Sequence, residues 1–298
     1  MPQEIEPSFA LEEATVGVVG LGLMGGSLAL ALAGQCRRRI GLDSDPQADK
    51  AALEKNAVDE LARQLPDLVE KSDLIVLAAP VRTILALLKE LAEIKPPKHK
   101  MRIVIDIGST KCDIVRAMGD LSEPYAPIGG HPICGREMQG IGFADPLLYK
   151  DAPFVLTPLP NGSPRALAAG HSLAEALGAH PIELSATEHD NLVATTSHLP
   201  HLVAVALAQT ASRLSSAAAL VGPGFRDTTR LAASNLEMMT DILLTNRGHV
   251  LEALEEYIAR LEALAQRVRE GDEARLKVLL AEGRRARQEL IEPSKGEK

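Results

Sequence analysis

Apolar positions along this chain follow two different periods, and the change falls near residue 186. Before it, short β-branched or apolar runs alternate with stretches of helical spacing. Residues 15–19 (TVGVV), 38–45 (RRIGLDSD), 73–80 (DLIVLAAP), 102–109 (RIVIDIGS), 125–130 (YAPIGG), 153–158 (PFVLTP) and 180–185 (HPIELS) predict strands. Several are unbroken apolar runs, as strands buried on both faces should be. Residues 27–33, 83–94, 111–121 and 164–177 predict the intervening helices. Strand–helix alternation of this kind predicts a doubly wound α/β sheet. After residue 186 the strand signals stop. Residues 186–214 predict one long helix interrupted at Pro200, and 250–291 predict two amphipathic helices broken near Gly271. Two domains are therefore expected, residues 14–185 and an all-α part over 186–293 whose apolar faces could build a dimer interface.

The first strand runs into GLGLMGGSLALALA. Gly20, Gly22 and Gly25 fit G-x-G-x-x-G between a strand and a helix, the context that a dinucleotide-binding turn requires. Gly20 permits the tight turn, Gly22 lets backbone approach a pyrophosphate, and Gly25 lets helix and strand pack closely. Leu23 and Met24 complete the turn, and the helix start faces the phosphates. Asp43 closes the second predicted strand, twenty-three residues after Gly20. A carboxylate there suits the adenosine ribose hydroxyls and repels a 2′-phosphate, so NAD is expected over NADP. Arg37, Arg38 and Arg39 lie at the start of that strand, not after it, and make a poor phosphate clamp. The predicted first domain is thus Rossmann-like.

Composition narrows the rest. Residues 15–34 carry no charge over twenty positions, long enough for a membrane span. Six glycines in that stretch and an acidic flank (Glu4, Glu6, Glu12, Glu13) argue against a span or a signal peptide. A net charge of −8 argues against nucleic acid or an anionic membrane as partner. It leaves room for an anionic small molecule held by a few arginines. Three scattered cysteines, Cys36, Cys112 and Cys134, suggest reduced thiols and a cytoplasmic location. No zinc-binding spacing is present, so no metal is expected.

Three segments follow strand ends and should share the ligand-binding rim of the sheet. They are Ala78-Ala79-Pro80, Gly108-Ser109-Thr110-Lys111 and Gly130-His131-Pro132. Ala79 and Pro80 let a ring lie close. The stretch PIGGHPICG around His131 excludes a helix or a central strand and predicts a stiff loop. An imidazole titrating near neutral pH could accept a proton from an alcohol as hydride leaves its carbon. Ser109 could orient that hydroxyl, or cap the next helix, or both. In the helical half, His198 and His201 are three apart and share a helix face. Either packing or substrate contact would suit them. Arg226 and Arg230 are four apart in GPGFRDTTRLAASN, suited to carboxylates if they lie on one helix and otherwise a solvated face.

VGVVGLGLMGGSLA, DIGSTK, GGHPICGRE, SHLPH and GFRDTTRLA occur in that order, and the likeness they carry covers roughly residues 15 to 290. Together they resemble the prephenate/arogenate dehydrogenase family of tyrosine biosynthesis. The resemblance implies NAD-dependent oxidation at the hydroxyl-bearing carbon of a cyclohexadiene, with loss of CO2 and aromatisation. It implies that His131 hydrogen-bonds that hydroxyl with Ser109 as its partner, that His201 lies in the active site, and that Arg230 binds the ring carboxylate. Arg226 stands where some members carry lysine. It also implies a homodimer through the helical part. The chain stops after the helices, so control by an appended regulatory domain is not expected. Two rivals remain: a β-hydroxyacid dehydrogenase, which would want a lysine on the first long helix of the second domain, where residues 187–214 have none; and an NAD sensor without catalysis.

Overall fold

A computed structural model describes residues 8–97 and 100–291. The first elements are β1 (Thr15–Val19), α1 (Leu23–Ala31), β2 (Arg38–Leu42), α2 (Pro46–Glu54), β3 (Glu60–Leu61), α3 (Leu65–Lys71), β4 (Leu74–Leu77), α4 (Val81–Glu93), β5 (Arg102–Asp106), α5 (Cys112–Met118), β6 (Tyr125–Pro132), β7 (Pro153–Thr157), α6 (Pro164–Ala176) and β8 (His180–Glu183). The eight strands form one sheet in the order β3-β2-β1-β4-β5-β6-β7-β8. All neighbours pair in parallel except β6 and β7. The strand order turns back at β1, and the crevice between the carboxyl ends of β1 and β4 is where such sheets bind ligands.

Both faces of the sheet are covered, which explains the unbroken apolar strands. Along β4, Leu74 and Val76 join one core with Val16, Val18, Leu28 and Leu173, while Ile75 and Leu77 join the other with Val19, Ile84, Leu88 and Ile114. Each such aliphatic side chain contributes about 1.5–3 kcal/mol when fully buried. The apolar run 15–34 is accounted for in the same way: it is β1, the glycine turn and α1, packed into the sheet.

The largest departure from expectation is at His131. It stands in β6, opposite Val155 of β7, and not in a loop. β6 pairs in parallel with β5 as far as Ile128, then antiparallel with β7 from Gly129 to Pro132. The two glycines make this change of partner possible. A Cβ at Gly129 would sit 1.9 Å from Thr157 Oγ1, and one at Gly130 would sit 2.5 Å from the Asp106 carbonyl oxygen. The glycines that suggested a loop serve close strand approach instead.

The helical region contains α7 (Ala186–Val193), a π-helical turn over Ala194–His198, α8 (Leu199–Ser212), α9 (Pro223–Thr229), a 3₁₀ turn over Arg230–Ala233 and α10 (Leu236–Thr245). Pro200 does not interrupt this helix. It falls in the first turn of α8, directly after the π turn, where a missing N–H is tolerated. The residues through Arg247 form one compact unit, and those from Gly248 a second. The second unit holds most of α11 (Arg247–Glu270) and α12 (Glu273–Ile291). Gly271, at φ +63°, ends α11, and Leu251, Ile258, Leu261, Val278 and Leu280 are exposed on the two helices. Among the described residues no helix is long and apolar enough to cross a membrane.

Because the Gly130 neighbour is backbone, Gly130→Ala should destabilise the protein by about 1–3 kcal/mol in urea denaturation. An unchanged midpoint would show that β5 and β6 can move apart.

Candidate active site

The glycine turn has the geometry of a phosphate cradle. Gly20 adopts φ +93°, and a Cβ there would meet the Ala78 carbonyl oxygen at 2.4 Å. A Cβ at Gly25 would meet the Gly20 carbonyl oxygen at 1.9 Å. At Gly22, which precedes the first turn of α1, a Cβ would meet nothing within 4 Å. Two glycines are therefore needed by the protein, and the third faces open space. Leu23 is buried in this turn, and the Tyr149 hydroxyl donates to the Met24 carbonyl at 2.7 Å, fixing it from below. Asp43 stands just past β2, where Oδ2 accepts from the Leu21 amide at 2.5 Å and Oδ1 from the Asp45 amide at 2.9 Å. Its carboxylate thus borders the same turn and keeps lone pairs for ribose hydroxyls. Arg37 pairs with Asp73, Arg38 with Glu60 and Arg39 with Asp59. Ala79 follows β4 and Pro80 precedes the first turn of α4. These residues fit a dinucleotide without a 2′-phosphate.

Beside this crevice lies a buried ionic group. Asp106, the last residue of β5, pairs with Lys111, and both side chains are fully buried. The Asp106 carboxylate also accepts from the amides of Gly108 (2.7 Å) and Gly130 (3.1 Å). One side chain therefore ties the Ser109 loop to the His131 strand. Burial pushes the Asp106 carboxyl up and the Lys111 ammonium down, each opposed by the partner's charge. Ser109 does not cap α5. That position is taken from outside, since Asp190 of α7 accepts from the Lys111 amide at 2.7 Å and the Cys112 amide at 2.8 Å.

His131 meets a neighbour the sequence did not reveal. Its Nδ1 lies 2.7 Å from Nε2 of His189, and Nδ1 of His189 lies 2.8 Å from Oδ1 of Asp190. His189 and Asp190 are buried, while His131 keeps some accessible surface. A capping box between Ser185 and Glu188 starts α7 and sets the phase of this pair. The His131 imidazole does not titrate near neutral pH as expected. Burial, then the nearby His189, Lys111 and His198, push it well below the usual histidine value, so it is neutral at physiological pH.

His198 and His201 are both buried. The Asn246 amide nitrogen lies 3.2 Å from His198 Nδ1 and donates to the Asp190 carbonyl at 2.7 Å. Burial pushes His198 down to about 4, with Asp190 opposing and His189 and His201 adding to the fall. Nδ1 of His201 is buried without a hydrogen-bond partner among the described residues. The arginines part company. Arg226 lies exposed on α9, and its side chain makes no hydrogen bond or ion pair among the described residues. Arg230 lies in the following turn and pairs with Glu137, six residues beyond His131.

Two family models match this chain: "Prephenate dehydrogenase, nucleotide-binding domain" over residues 28–183 and "Prephenate dehydrogenase, dimerization domain" over 185–282. The chain belongs to the prephenate dehydrogenase family. The first match begins after the glycine turn, so the cradle stands on its own geometry. Among family relatives, prephenate dehydrogenase of Bacillus subtilis is 33% identical over 87% of this chain and 71% of its own length. Cyclohexadienyl dehydrogenase of Zymomonas mobilis is 32% identical over 84% and 86%. Among solved structures, Aquifex aeolicus prephenate dehydrogenase in complex with hydroxyphenyl propionate and NAD+ is similar with a TM-score of 0.86. It is 30% identical and covers 95% of this chain and 100% of that one. Synechocystis arogenate dehydrogenase superposes with a TM-score of 0.81 at 32% identity, covering 93% and 100%. NAD is the cofactor of this family member, an oxidoreductase.

His198 gives this site a pH signature. Its pKa is depressed on folding, so its contribution is present above the unfolded value of about 6.5 and lost as pH falls toward about 4. Between about pH 7.5 and pH 5, wild type should lose ~2 kcal/mol more stability than His198→Gln in urea denaturation. Equal losses would mean that His198 is not held neutral.

Proposed function

We propose that this family member oxidises and decarboxylates prephenate, arogenate or both, with His131 accepting the proton of the ring hydroxyl. The supporting observation is the placement of His131: held through Nδ1 by His189, on a strand end beside the Asp106-anchored loop that carries Ser109. NAD, when bound at the glycine turn with Asp43 on its ribose, supplies the hydride acceptor. His131 Nε2 takes the hydroxyl proton as the ring carbon becomes a carbonyl. It can return that proton to the oxygen when the C–CO2 bond breaks and its electron pair aromatises the ring. Ser109 orients the hydroxyl. His201, whose buried Nδ1 lacks a partner among the described residues, and His198 line the substrate side.

Arg230 holds a substrate carboxylate in this reading. Its pair with Glu137 leaves both side chains about half exposed (61% and 48%). Such exposed pairs are worth only ~0–1 kcal/mol, so a carboxylate can displace Glu137 from the guanidinium. Arg226 is a weaker candidate, since its side chain has no polar partner among the described residues. The domain reading follows the same lines: residues 14–185 bind NAD and residues 186–293 provide substrate contacts and a homodimer interface (292 and 293 lie outside the described residues). The exposed apolar side chains of α11 and α12 suit such an interface. The location is inferred to be cytoplasmic.

NADH absorbance with purified protein, NAD and each substrate tests the reading, and no turnover of either by NAD-binding protein would overturn it. His131→Asn should lower turnover by about 10²–10⁴-fold with NAD binding intact. Arg230→Gln should raise the substrate KM by about 2–3 kcal/mol in binding terms with kcat less affected; an unchanged KM would remove the carboxylate role.

A further inference from the structure

We propose that His189 and Asp190 are positioning residues for His131. The chain Asp190–His189–His131 fixes which His131 nitrogen is bare and takes up the charge that the hydroxyl proton brings. The proposal rests on the reading of His131 as proton acceptor. It comes from a row of three side chains on two elements far apart in sequence, β6 and α7.

The hydrogen positions follow from the partners. Asp190 is ionised: burial alone would raise its carboxyl, but hydrogen bonds from His189 and the Cys112 and Lys111 amides hold it low. An ionised carboxylate only accepts, so the 2.8 Å contact requires a hydrogen on His189 Nδ1. In the proposal His189 takes its single-proton form at rest, which leaves Nε2 bare. The 2.7 Å contact to it requires a hydrogen on His131 Nδ1. His131 Nε2 is left as the bare acceptor, with no partner among the described residues. The rings meet edge to face, with centroids 5.0 Å apart and planes at 71°, a geometry that suits one linear N–H···N bond.

The same row handles the product charge. When the substrate O–H breaks and His131 Nε2–H forms, the Nδ1 hydrogen can pass to His189 Nε2. The positive charge then sits on His189, 2.8 Å from the Asp190 carboxylate. His131 is left with its hydrogen on Nε2, ready to return it. One proton has entered and no isolated charge has been created. The charged and titratable groups around His131 are His189 and Asp190 from α7, Lys111 and Asp106 from the β5–α5 connection, and His198 from the π turn. Lys111 and the neighbouring histidines oppose protonation of His131; Asp190 favours it through His189.

Histidine ¹⁵N chemical shifts of the wild-type protein with NAD bound provide a test independent of turnover. The expected result is Nδ1–H on both His131 and His189, with a low-field His189 proton that disappears in Asp190→Asn. An Nε2–H tautomer at His131 would overturn the proposal on a folded, unmodified protein. Kinetics give the second test. His189→Asn and Asp190→Asn should each lower kcat by about 10²-fold while substrate KM and NAD affinity stay within about twofold. In Asp190→Asn the acid limb of the kcat–pH profile should move to lower pH. His131→Asn/His189→Asn should be no slower than His131→Asn alone. Independent, multiplying losses would mean that His189 acts on structure only. Wild type that turns over neither substrate yet shows the stated tautomers would overturn the substrate reading and leave the hydrogen-bond chain standing.

Discussion

The site depends on one buried carboxylate, Asp190, being satisfied from three directions. It accepts from the amides of Lys111 and Cys112 and faces His189 Nδ1. Stripping a carboxylate of water costs several kcal/mol unless its lone pairs find donors, and here each donor belongs to an element that the site needs. The two amides belong to the start of α5, which follows Ser109 in the chain. The imidazole leads to His131. The Asp190 backbone carbonyl takes Asn246 at the end of α10. The helical region and the sheet thus meet at a point where no element can shift without stranding a buried charge. Asp106 plays the matching part on the sheet side, joining the Ser109 loop and the His131 strand through Gly108, Gly130 and Lys111.

The π turn is what lets one helix serve this point twice. His189 and His198 are nine residues apart, which in an unbroken α-helix puts them about half a turn out of phase. The extra residue that a π turn accommodates draws the later positions back by about 100°. Asn246 can then reach both the Asp190 carbonyl and the His198 ring. The proline that follows stands where the helix needs no donor from it. A local distortion at a functional site is a common use of π turns.

The α/β order, the glycine turn, Asp43 and the helical second half were all legible in the sequence, because each is a local pattern. Strand periodicity and turn chemistry act over fewer than ten residues, and the second strand follows soon after the first. His131 was singled out in the sequence but placed in a loop, whereas it stands in β6. Gly129 and Gly130 read as loop formers, and only the paired strands reveal that they make room for Thr157 and for the Asp106 backbone. Lys111 was visible only as one residue of a loop. His189 and Asp190 looked like ordinary polar positions on an amphipathic helix, and Glu137 like a solvated loop residue. Their meaning lies in contacts spanning 58, 79 and 93 residues, which no spacing rule can reach. The acidic shift of His131 was hidden for the same reason: burial is a property of the assembled site.

The charges of the buried cluster also account for its chemistry. Asp106 and Lys111 cancel, and they cancel whether the proton between them sits on the amine or on the carboxyl. Asp190 forms no ion pair with a lysine or arginine among the described residues, and in the arrangement proposed above His131, His189 and His198 each carry one ring proton. In that arrangement the cluster carries one negative charge and is one proton short of balance. Solvent does not supply that proton readily, because burial disfavours imidazolium at His131 and His198. A substrate hydroxyl pressed against His131 Nε2 can supply it, since the departing hydride makes the oxygen acidic at the moment of transfer. A base of this kind stays bare at neutral pH, yet gains a favourable electrostatic partner once the proton arrives. Two shifts of opposite cause, desolvation and a waiting carboxylate, thus set His131 apart from an exposed histidine of the same intrinsic basicity.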